Sequence, residues 1–235
     1  MNSSEEGAMA APPVEDPAMT FPYQLDPFQQ QAIEAIEGDG NVLVTAHTSA
    51  GKSTVAEYAI AKCALLNQKV IYTSPIKTLS NQKFADFRQK ADRMNLTPED
   101  IGIMTGDVKL NPDAQCVIMT TEILRNMLYQ GHPMISEIKM VIFDEVHYIN
   151  DRDRGKVWEE SIIMLPAEIN LIMLSATIAG ADRFAKWIES IKGKTTRLVS
   201  TLYRPVPLHH YIYWSGQMYP IMKLRVNLKN IYVKN

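Results

Sequence analysis

Short apolar runs alternate with longer segments of helical periodicity from Phe21 onwards. The apolar runs predict six strands, over residues 41–45, 69–73, 101–104, 116–120, 140–143 and 171–174. The segments between them predict helices over residues 27–37, 52–67, 77–90, 122–129 and 181–191. Strands that are almost entirely apolar are typical of a sheet that is covered on both faces. We therefore predict an α/β fold with a central, mostly parallel sheet flanked by helices on both faces.

The two ends of the chain differ from this pattern. Residues 1–20 contain four acidic residues and no basic one, so we predict a disordered acidic leader. Residues 203–214 carry two prolines at alternate positions and then several aromatic residues, which favours an extended connector that leaves the domain. Residues 215–235 contain four basic residues and no acidic one, and we leave this basic tail unassigned. The folded domain then spans residues 21–202.

Composition and charge exclude several classes of protein. The chain has 235 residues, of which 46% are hydrophobic and 21% are charged, as in an ordinary globular protein. Its net charge of −2 argues against non-specific adhesion to nucleic acid but allows a groove that contacts a few phosphates. Cys63 and Cys116 have no metal-ligand spacing, so we expect neither a disulfide framework nor a cysteine-based zinc site. Because no run of roughly 18 apolar residues occurs, we expect no membrane partner.

The strongest chemical signal is Ala46-His-Thr-Ser-Ala-Gly-Lys-Ser53, which lies between the first strand and the second helix. Backbone N–H groups of such a loop and the positive end of the helix can hold phosphates. Lys52 adds a positive charge there, and the Ser53 hydroxyl can bind Mg²⁺. Ala46 stands where the general pattern has glycine. An accidental Gly-Lys-Ser helix start is the alternative, and the strand–loop–helix context argues against it.

Two further motifs follow predicted strands. Asp144 and Glu145 end the strand over residues 140–143, where Asp144 can bind Mg²⁺ opposite the phosphate loop. Glu145 can polarise a water for attack on a γ-phosphate, so the pair indicates hydrolysis rather than nucleotide binding alone. The segment Leu174-Ser-Ala-Thr177 ends a later strand. By itself it favours an ordinary turn, and beside the other two motifs it indicates a functional segment.

In this order and spacing, the three motifs resemble motifs I, II and III of superfamily 2 helicases, and Asp-Glu-Val-His is the pattern of their DExH-box types. Four more segments are similar to the exosome-associated RNA helicases, meaning the superkiller helicase and its nuclear mRNA-transport relative. These segments are residues 74–83, 104–107, 120–125 and 147–155. The resemblance covers residues 21–214 approximately, and it implies a RecA-like P-loop domain.

The resemblance implies a site for ATP and Mg²⁺ and assigns residues to it one by one. Tyr23 and Gln29 would contact the adenine, and the phosphate loop would contribute His47, Thr48, Ser49, Ala50, Gly51, Lys52, Ser53 and Thr54. Ser53 and Asp144 would bind Mg²⁺, and the catalytic set would be Lys52, Asp144, Glu145 and His147. Ser175, Ala176 and Thr177 would couple the ATP state to RNA. Without the family, Gln29 would be interpreted as an exposed helix residue and His147 as a polar group at a strand end.

The resemblance also implies contacts to single-stranded RNA from three loops. The residues are Ser74, Pro75 and Lys77, then Thr105, Gly106 and Asp107, and finally Thr120, Thr121 and Glu122. Hydroxyls, backbone amides and helix N-termini can hold phosphates without reading bases. For each of these residues, a role as a helix cap or turn residue is the alternative.

Taken together, the resemblance implies the first motor domain of an ATP-dependent 3′-to-5′ RNA helicase, with the RNA exosome and its adaptor proteins as partners. It favours a nuclear protein, with a cytoplasmic one as the alternative. Nothing after Trp214 resembles a second RecA-like domain, and the chain has no Gly-Arg-x-Gly-Arg pattern, so we expect incomplete ATPase and unwinding activity. Two other hypotheses are a truncated non-catalytic module that binds RNA or a partner, and a P-loop kinase or other NTPase. The last does not explain the Thr-Gly-Asp, Thr-Thr-Glu and Ser-Ala-Thr segments.

Overall fold

A computed structural model of the chain describes residues 17–203 and 209–222. The chain divides into two compact units between Leu202 and Tyr203. In the first unit the helices are α1 (Pro27–Glu37), α2 (Lys52–Leu65), α3 (Lys77–Gln89), α4 (Thr121–Tyr129), α5 (Gly155–Met164) and α6 (Ala181–Lys192). The strands are β1 (Asn41–Thr45), β2 (Lys69–Ser74), β3 (Ile101–Met104), β4 (Lys109–Leu110), β5 (Cys116–Thr120), β6 (Ile138–Phe143), β7 (Asn170–Ser175) and β8 (Thr196–Ser200). Short 3₁₀ helices span Ala91–Met94, Pro98–Asp100, Pro133–Glu137 and Val146–Asn150.

These eight strands form one sheet in the order β4-β3-β5-β2-β6-β7-β1-β8. All neighbouring pairs are parallel except β3 with the short β4. Alternate strand residues face two separate hydrophobic cores, because side chains in a strand point to opposite faces in turn. One core packs the sheet against α1, α2 and α3, and the other packs it against α4, α5 and α6. The predicted parallel α/β fold with helices on both faces is confirmed.

All six predicted strands and all five predicted helices are present, four of them with the predicted bounds and the others with bounds that differ by at most two residues. Helix α2, for example, ends at Leu65 rather than at residue 67, because Asn67 adopts a left-handed conformation that ends the helix in a turn. Three elements of the first unit, α5, β8 and the two-residue β4, were not predicted from the apolar pattern. Strand β8 lies at the sheet edge and mixes buried, half-buried and exposed residues, unlike the continuous apolar runs of the central strands.

The start of the ordered domain differs from the prediction. Ala18 and Met19, within the segment predicted as a disordered leader, are buried in the hydrophobic core at 8% and 4% exposure. The Ala18 N–H donates to the Tyr58 hydroxyl at 3.2 Å, and the Asn95 amide donates to the Ala18 carbonyl at 2.9 Å. Two adjacent apolar residues are too few to show a helical or strand periodicity, so the sequence does not reveal that this segment packs against the domain. The rest of the predicted leader, residues 1–16, lies outside the described residues.

In the second unit, β9 (His210–Trp214) and β10 (Gln217–Met222) form an antiparallel hairpin. Ser215 and Gly216 connect them with positive φ angles of 47° and 80°, as in a two-residue hairpin turn. Strand β9 occupies the end of the predicted connector, and β10 occupies part of the tail that we left unassigned. Residues 204–208 and 223–235 lie outside the described residues.

Two compositional expectations can be compared with the structure. Cys63 and Cys116 are buried and unpaired, and burial raises the pKa of the Cys63 thiol to about 12. They act as small apolar residues of the core. Across residues 17–203 and 209–222, no helix has the length and apolar character needed to cross a membrane.

Candidate nucleotide and RNA sites at one edge of the sheet

The strand order sorts the predicted motifs into two groups. The carboxyl ends of parallel strands meet at one edge of a sheet, which is where α/β proteins bind ligands. The phosphate loop follows β1, the Asp-Glu pair follows β6, and the Ser-Ala-Thr segment begins at the end of β7, and these three strands are neighbours. The predicted RNA segments follow β3, β5 and β2, which are also neighbours. The two groups meet where β2 pairs with β6.

The phosphate loop has the backbone geometry that anion binding requires. Ser49 and Gly51 have positive φ angles of 65° and 89°, which turn successive N–H groups of the loop toward one side. The φ of Gly51 favours glycine, and a Cβ there would also displace the end of the Gln29 side chain, whose Nε2 would lie 2.6 Å away. Of the remaining loop residues, His47 is half-buried, Thr48 is exposed, and Ala50 and Thr54 are buried. The loop is therefore a preformed cradle that opens into α2.

Lys52 lies in the electrostatic field of both the loop and the Asp-Glu pair. Its ammonium group donates to the carbonyls of Ala46 at 3.0 Å and His47 at 3.1 Å. Burial lowers the pKa of Lys52, the negative charges of Glu145 and Asp144 oppose that shift, and Lys83 adds to it. The structure thus places Lys52 near Asp144 and Glu145, the residues that the first two motifs predict to be catalytic.

Asp144 is held by hydrogen bonds to both carboxylate oxygens. The Tyr72 hydroxyl donates to Oδ2, and the backbone N–H of Glu145 donates to Oδ1 at 2.9 Å. Asp144 is 8% exposed, and Glu145 next to it is half-buried with a left-handed φ of 53°. A left-handed glutamate is uncommon and marks a constrained turn. Tyr72, from β2, is a site residue that the sequence motifs do not reveal.

The donor set fits a magnesium ion. Mg²⁺ typically takes only one or two carboxylates from the protein and completes its coordination with phosphates and waters. Ser53 and Asp144 supply a hydroxyl and a carboxylate of this kind. The Ser53 hydroxyl already faces a cation, since the Lys83 ammonium group donates to its Oγ at 2.7 Å. Among the described residues there is no cluster of three or more His, Cys, Asp or Glu that could hold a metal by itself.

Gln29 and Tyr23 lie beside the phosphate loop. Gln29 is 4% exposed, which contradicts its alternative interpretation as an exposed helix residue. Its Nε2 donates to the Gly51 carbonyl at 3.0 Å, and its Oε1 accepts from the Asp26 N–H at 2.9 Å. Tyr23 is 48% exposed, and its hydroxyl lies 3.1 Å from Thr54 Oγ1. Both polar atoms of the Gln29 side chain thus have partners within the domain, and contact of Gln29 and Tyr23 with an adenine stays a prediction.

His147 lies between the second and third motifs. Its Nδ1 is 3.2 Å from Glu145 Oε2 and 3.4 Å from the backbone nitrogen of Ala176. One ring nitrogen cannot donate to Glu145 and accept from Ala176 at the same time, so the two contacts are alternatives. Ser175 is fully buried, its hydroxyl has no hydrogen-bond partner among the described residues, and Thr177 is exposed. His147 therefore contacts both motifs, as a residue that connects them must.

At the other half of the edge, a groove of about 670 Å³ collects most of the predicted RNA residues. We call it the strand-end groove. It is lined by Pro75, Ile76, Lys77, Thr78, Gly106, Thr120, Glu122, Ile123, Asn126 and Arg154. Residues from three strand ends and three helices thus face one space. Half of the lining was predicted, and the other half was not: Ile76, Thr78, Ile123, Asn126 and Arg154. Arg154 belongs to the segment over residues 147–155, whose charged character is visible in the sequence although its position is not.

Four predicted RNA residues are outside this lining and have structural partners. Ser74 Oγ lies 2.7 Å from Ser80 Oγ, and Thr121 Oγ1 lies 3.4 Å from the Ser74 carbonyl, so both hydroxyls stabilise helix starts. Thr105 donates to Asp107 at 3.0 Å. Asp107 Oδ1 also pairs with Lys77 Nζ at 3.0 Å, and these contacts hold the pKa of Asp107 below its usual value. Their role in RNA binding stays a prediction.

A family model described as DEAD/DEAH box helicase matches residues 26–184. The chain belongs to this family. The match runs from α1 to the first turn of α6 and therefore includes the phosphate loop, the Asp-Glu pair and the Ser-Ala-Thr segment. The resemblance inferred from the motifs is confirmed.

Similar proteins include RNA helicases and an antiviral helicase. The chain is 52% identical over 209 residues to "Antiviral helicase SKI2" of Saccharomyces cerevisiae. The aligned residues cover 89% of this chain and 16% of that protein. It is also 52% identical over 200 residues to "ATP-dependent RNA helicase mtr4" of Schizosaccharomyces pombe, covering 85% of this chain and 17% of that protein. The chain thus spans about one sixth of the length of these relatives.

Solved structures agree on the fold. Mycobacterium smegmatis helicase Lhr, determined with single-stranded DNA and AMP-PNP, matches with a TM-score of 0.58 at 27% identity. The match covers 74% of this chain and 25% of that one. The sheet with its strand-end motifs is therefore the architecture of a helicase RecA-like domain.

Proposed function

We propose that the chain is the ATP- and RNA-binding first motor domain of an ATP-dependent 3′-to-5′ RNA helicase that supports RNA processing or decay by the exosome. The observation that carries the proposal is the position of two motifs at one sheet edge, the phosphate loop after β1 and the Asp-Glu pair after β6, on either side of β7. Lys52 of the phosphate loop lies in the field of Asp144 and Glu145, at the same sheet edge as the strand-end groove. When bound, Mg²⁺ would neutralise phosphate charge and orient the γ-phosphate.

Each residue has a defined part in this proposal. Lys52 and the loop amides bind the β- and γ-phosphates, while Ser53 and Asp144 hold the metal. Glu145 takes a proton from the attacking water. His147 contacts both Glu145 and the Ser-Ala-Thr segment and so couples the state of the nucleotide site to that segment. The strand-end groove holds the backbone of a single RNA strand. Its lining offers the hydroxyls of Thr78 and Thr120, the Asn126 amide and the cations Lys77 and Arg154, beside one anion, Glu122.

The nucleotide part is tested with Lys52→Ala and Glu145→Gln. We expect Lys52→Ala to weaken Mg-ATP binding about tenfold or more, because it removes a charge-assisted contact to phosphate. Glu145→Gln should leave binding intact and lower single-turnover hydrolysis by about 10² to 10⁴. Calorimetry and a single-turnover assay with single-stranded RNA measure the two effects. Lys186→Ala and Glu159→Gln, at exposed positions, are the matched controls.

The same assay distinguishes the second candidate, a non-catalytic module that binds RNA or a partner. If neither substitution changes a measured quantity and RNA still binds, the module is correct and the motor proposal is wrong. For the 235 residues assayed alone we propose slow turnover, because arginine fingers worth about 10³ to 10⁵ in rate come from elsewhere in such motors. RNA-stimulated turnover at the rate of a complete helicase would contradict this expectation.

The partners and location are further parts of the proposal. Relatives named as an antiviral SKI2 helicase and as an ATP-dependent RNA helicase support an RNA substrate. We propose the exosome with its adaptor proteins as partner and the nucleus as location, with the cytoplasm as the alternative. Affinity purification of the tagged endogenous protein and fluorescence imaging test both statements. Recovery without exosome subunits, or a purely cytoplasmic signal, would overturn the corresponding statement.

A further inference from the structure

Tyr72 lies on the boundary between the two halves of the functional edge. It belongs to β2, which pairs with β5 of the RNA half and with β6 of the nucleotide half. Tyr72 is opposite Ile142, two residues before Asp144, and its side chain is fully buried. Its hydroxyl donates to Asp144 Oδ2 across the two strands. None of the three helicase motifs includes this residue.

The surroundings of Tyr72 fix the direction of this hydrogen bond. Its ring packs edge-on against Phe87 of α3, with 5.2 Å between ring centroids. Asp144 is fixed from the other side, because its backbone N–H donates to the Thr73 carbonyl at 2.9 Å and its Oδ1 accepts from Glu145. The Tyr72 bond therefore fixes the second carboxylate oxygen, and without it the Asp144 carboxylate would be held at Oδ1 alone. A hydrogen bond to an ionised acceptor is among the strong ones in proteins.

We propose that Tyr72 is a positioning residue that orients the Asp144 carboxylate for magnesium binding in the nucleotide site. This inference rests on the proposed function, in which Asp144 binds the metal. Groups that hydrogen-bond to metal ligands set the ligand orientation before the metal arrives, and their loss typically lowers metal affinity about 10- to 100-fold. The alternative is a purely structural bond that satisfies two buried polar groups.

The two roles differ in their dependence on magnesium. Tyr72→Phe removes the hydroxyl and keeps the ring against Phe87. Tyr58→Phe is the matched control, since Tyr58 is also fully buried and its hydroxyl donates to Glu37 at 2.8 Å. Calorimetry measures ADP binding for the wild type and both variants, once with EDTA and once across a Mg²⁺ titration. The rise in unfolding temperature on adding ADP, measured once with Mg²⁺ and once with EDTA, is a second readout. It is a difference within each variant, so it can also be measured for a less stable one.

We expect Tyr72→Phe to bind ADP in EDTA within about twofold of the wild type and to need about tenfold more Mg²⁺ for half-maximal enhancement of binding. In an Asp144→Ala background the same substitution should have no further effect on the Mg²⁺ dependence. Tyr58→Phe should follow the wild type in both conditions. A Mg²⁺ dependence of Tyr72→Phe equal to that of the wild type would overturn the positioning role alone. A wild type that binds no ADP in either condition would overturn the proposed function and the inference with it.

Discussion

Lys192, the last residue of α6, is a buried cation whose titration affects stability. It is 5% exposed, and its ammonium group donates to the carbonyls of Ile163 and Leu165 near the end of α5. Burial lowers its pKa from 10.5 to about 8, and Glu168 opposes the shift. Between these two pH values the unfolded chain binds more protons than the folded one. Stability contributed by Lys192 therefore rises with pH across this window and is lost as the pH falls through 8.

We expect Lys192→Met to remove this dependence. Relative to the variant, the free energy of unfolding of the wild type should rise by about 1–3 kcal/mol from pH 8 to pH 10. Urea denaturation at several pH values measures the difference, and Lys186→Met, at an exposed position in the same helix, is the control. Parallel pH profiles for the wild type and Lys192→Met would show that this expectation is wrong.

At the scale of residues, sequence could reveal those whose chemistry is local. Lys52, Ser53, Asp144 and Glu145 lie within short motifs at strand ends, so residue type and spacing were enough. Tyr72 could not be found in this way, because its contact with Asp144 joins positions 72 residues apart. The hydrogen bond from Lys83 to Ser53 likewise joins positions 30 residues apart. Both contacts depend on how the strands and helices pack, which no local pattern shows.

At the scale of elements, the start of helix α5 positions a cation in the strand-end groove. It begins at Gly155, where a Cβ would lie 2.2 Å from the Ile149 carbonyl, so the chain must pass close to the preceding 3₁₀ helix. This close approach sets the path of the preceding turn, and Arg154 at its end lines the strand-end groove. Arg154 thereby adds a cation to a groove in which Lys77 is already paired with Asp107.

We expect Arg154→Gln to weaken binding of single-stranded RNA about three- to tenfold. It should also make the dependence of log affinity on log salt concentration less steep by about 0.7, the effect of one lost phosphate contact. Fluorescence anisotropy with an oligouridine at several salt concentrations measures both. Arg152→Gln, an exposed arginine in the same turn, is the matched control. If the salt dependence of Arg154→Gln equals that of the wild type, Arg154 does not contact an RNA phosphate.

The predictability of an element followed its place in the sheet. Strands β1, β2, β5, β6 and β7 are covered on both faces, and their unbroken apolar runs predicted them. Strand β8 at the edge shows a mixed pattern, and the two-residue β4 is too short to carry one. Helix α5 has a buried stripe that includes Trp158 and Ile162, but glycine at its first position is a weak helix signal.

At the scale of the whole molecule, strand order explains what the motifs alone could not. The sequence shows the nucleotide and RNA motifs interleaved along the chain. The fold separates them, with β1, β6 and β7 carrying one set and β2, β3 and β5 the other. Only the β2–β6 pair joins the two halves within the sheet. Crossovers of this kind depend on long-range pairing and cannot be deduced from local pattern.

The same organisation predicts which part of the chain is sufficient for nucleotide binding. All predicted site residues lie before Leu202, in the first compact unit. Strand β8 pairs with β1 over its whole length, and β1 leads directly into the phosphate loop.

We therefore expect residues 1–202 to bind Mg-ADP within about twofold of the full chain and to unfold at nearly the same temperature. Residues 1–195 lack β8 and should lose both binding and cooperative unfolding, because β1 would become an unpaired edge beside the loop. Calorimetry and thermal denaturation decide the matter, and loss of nucleotide binding by residues 1–202 would mean that the second unit contributes to the site.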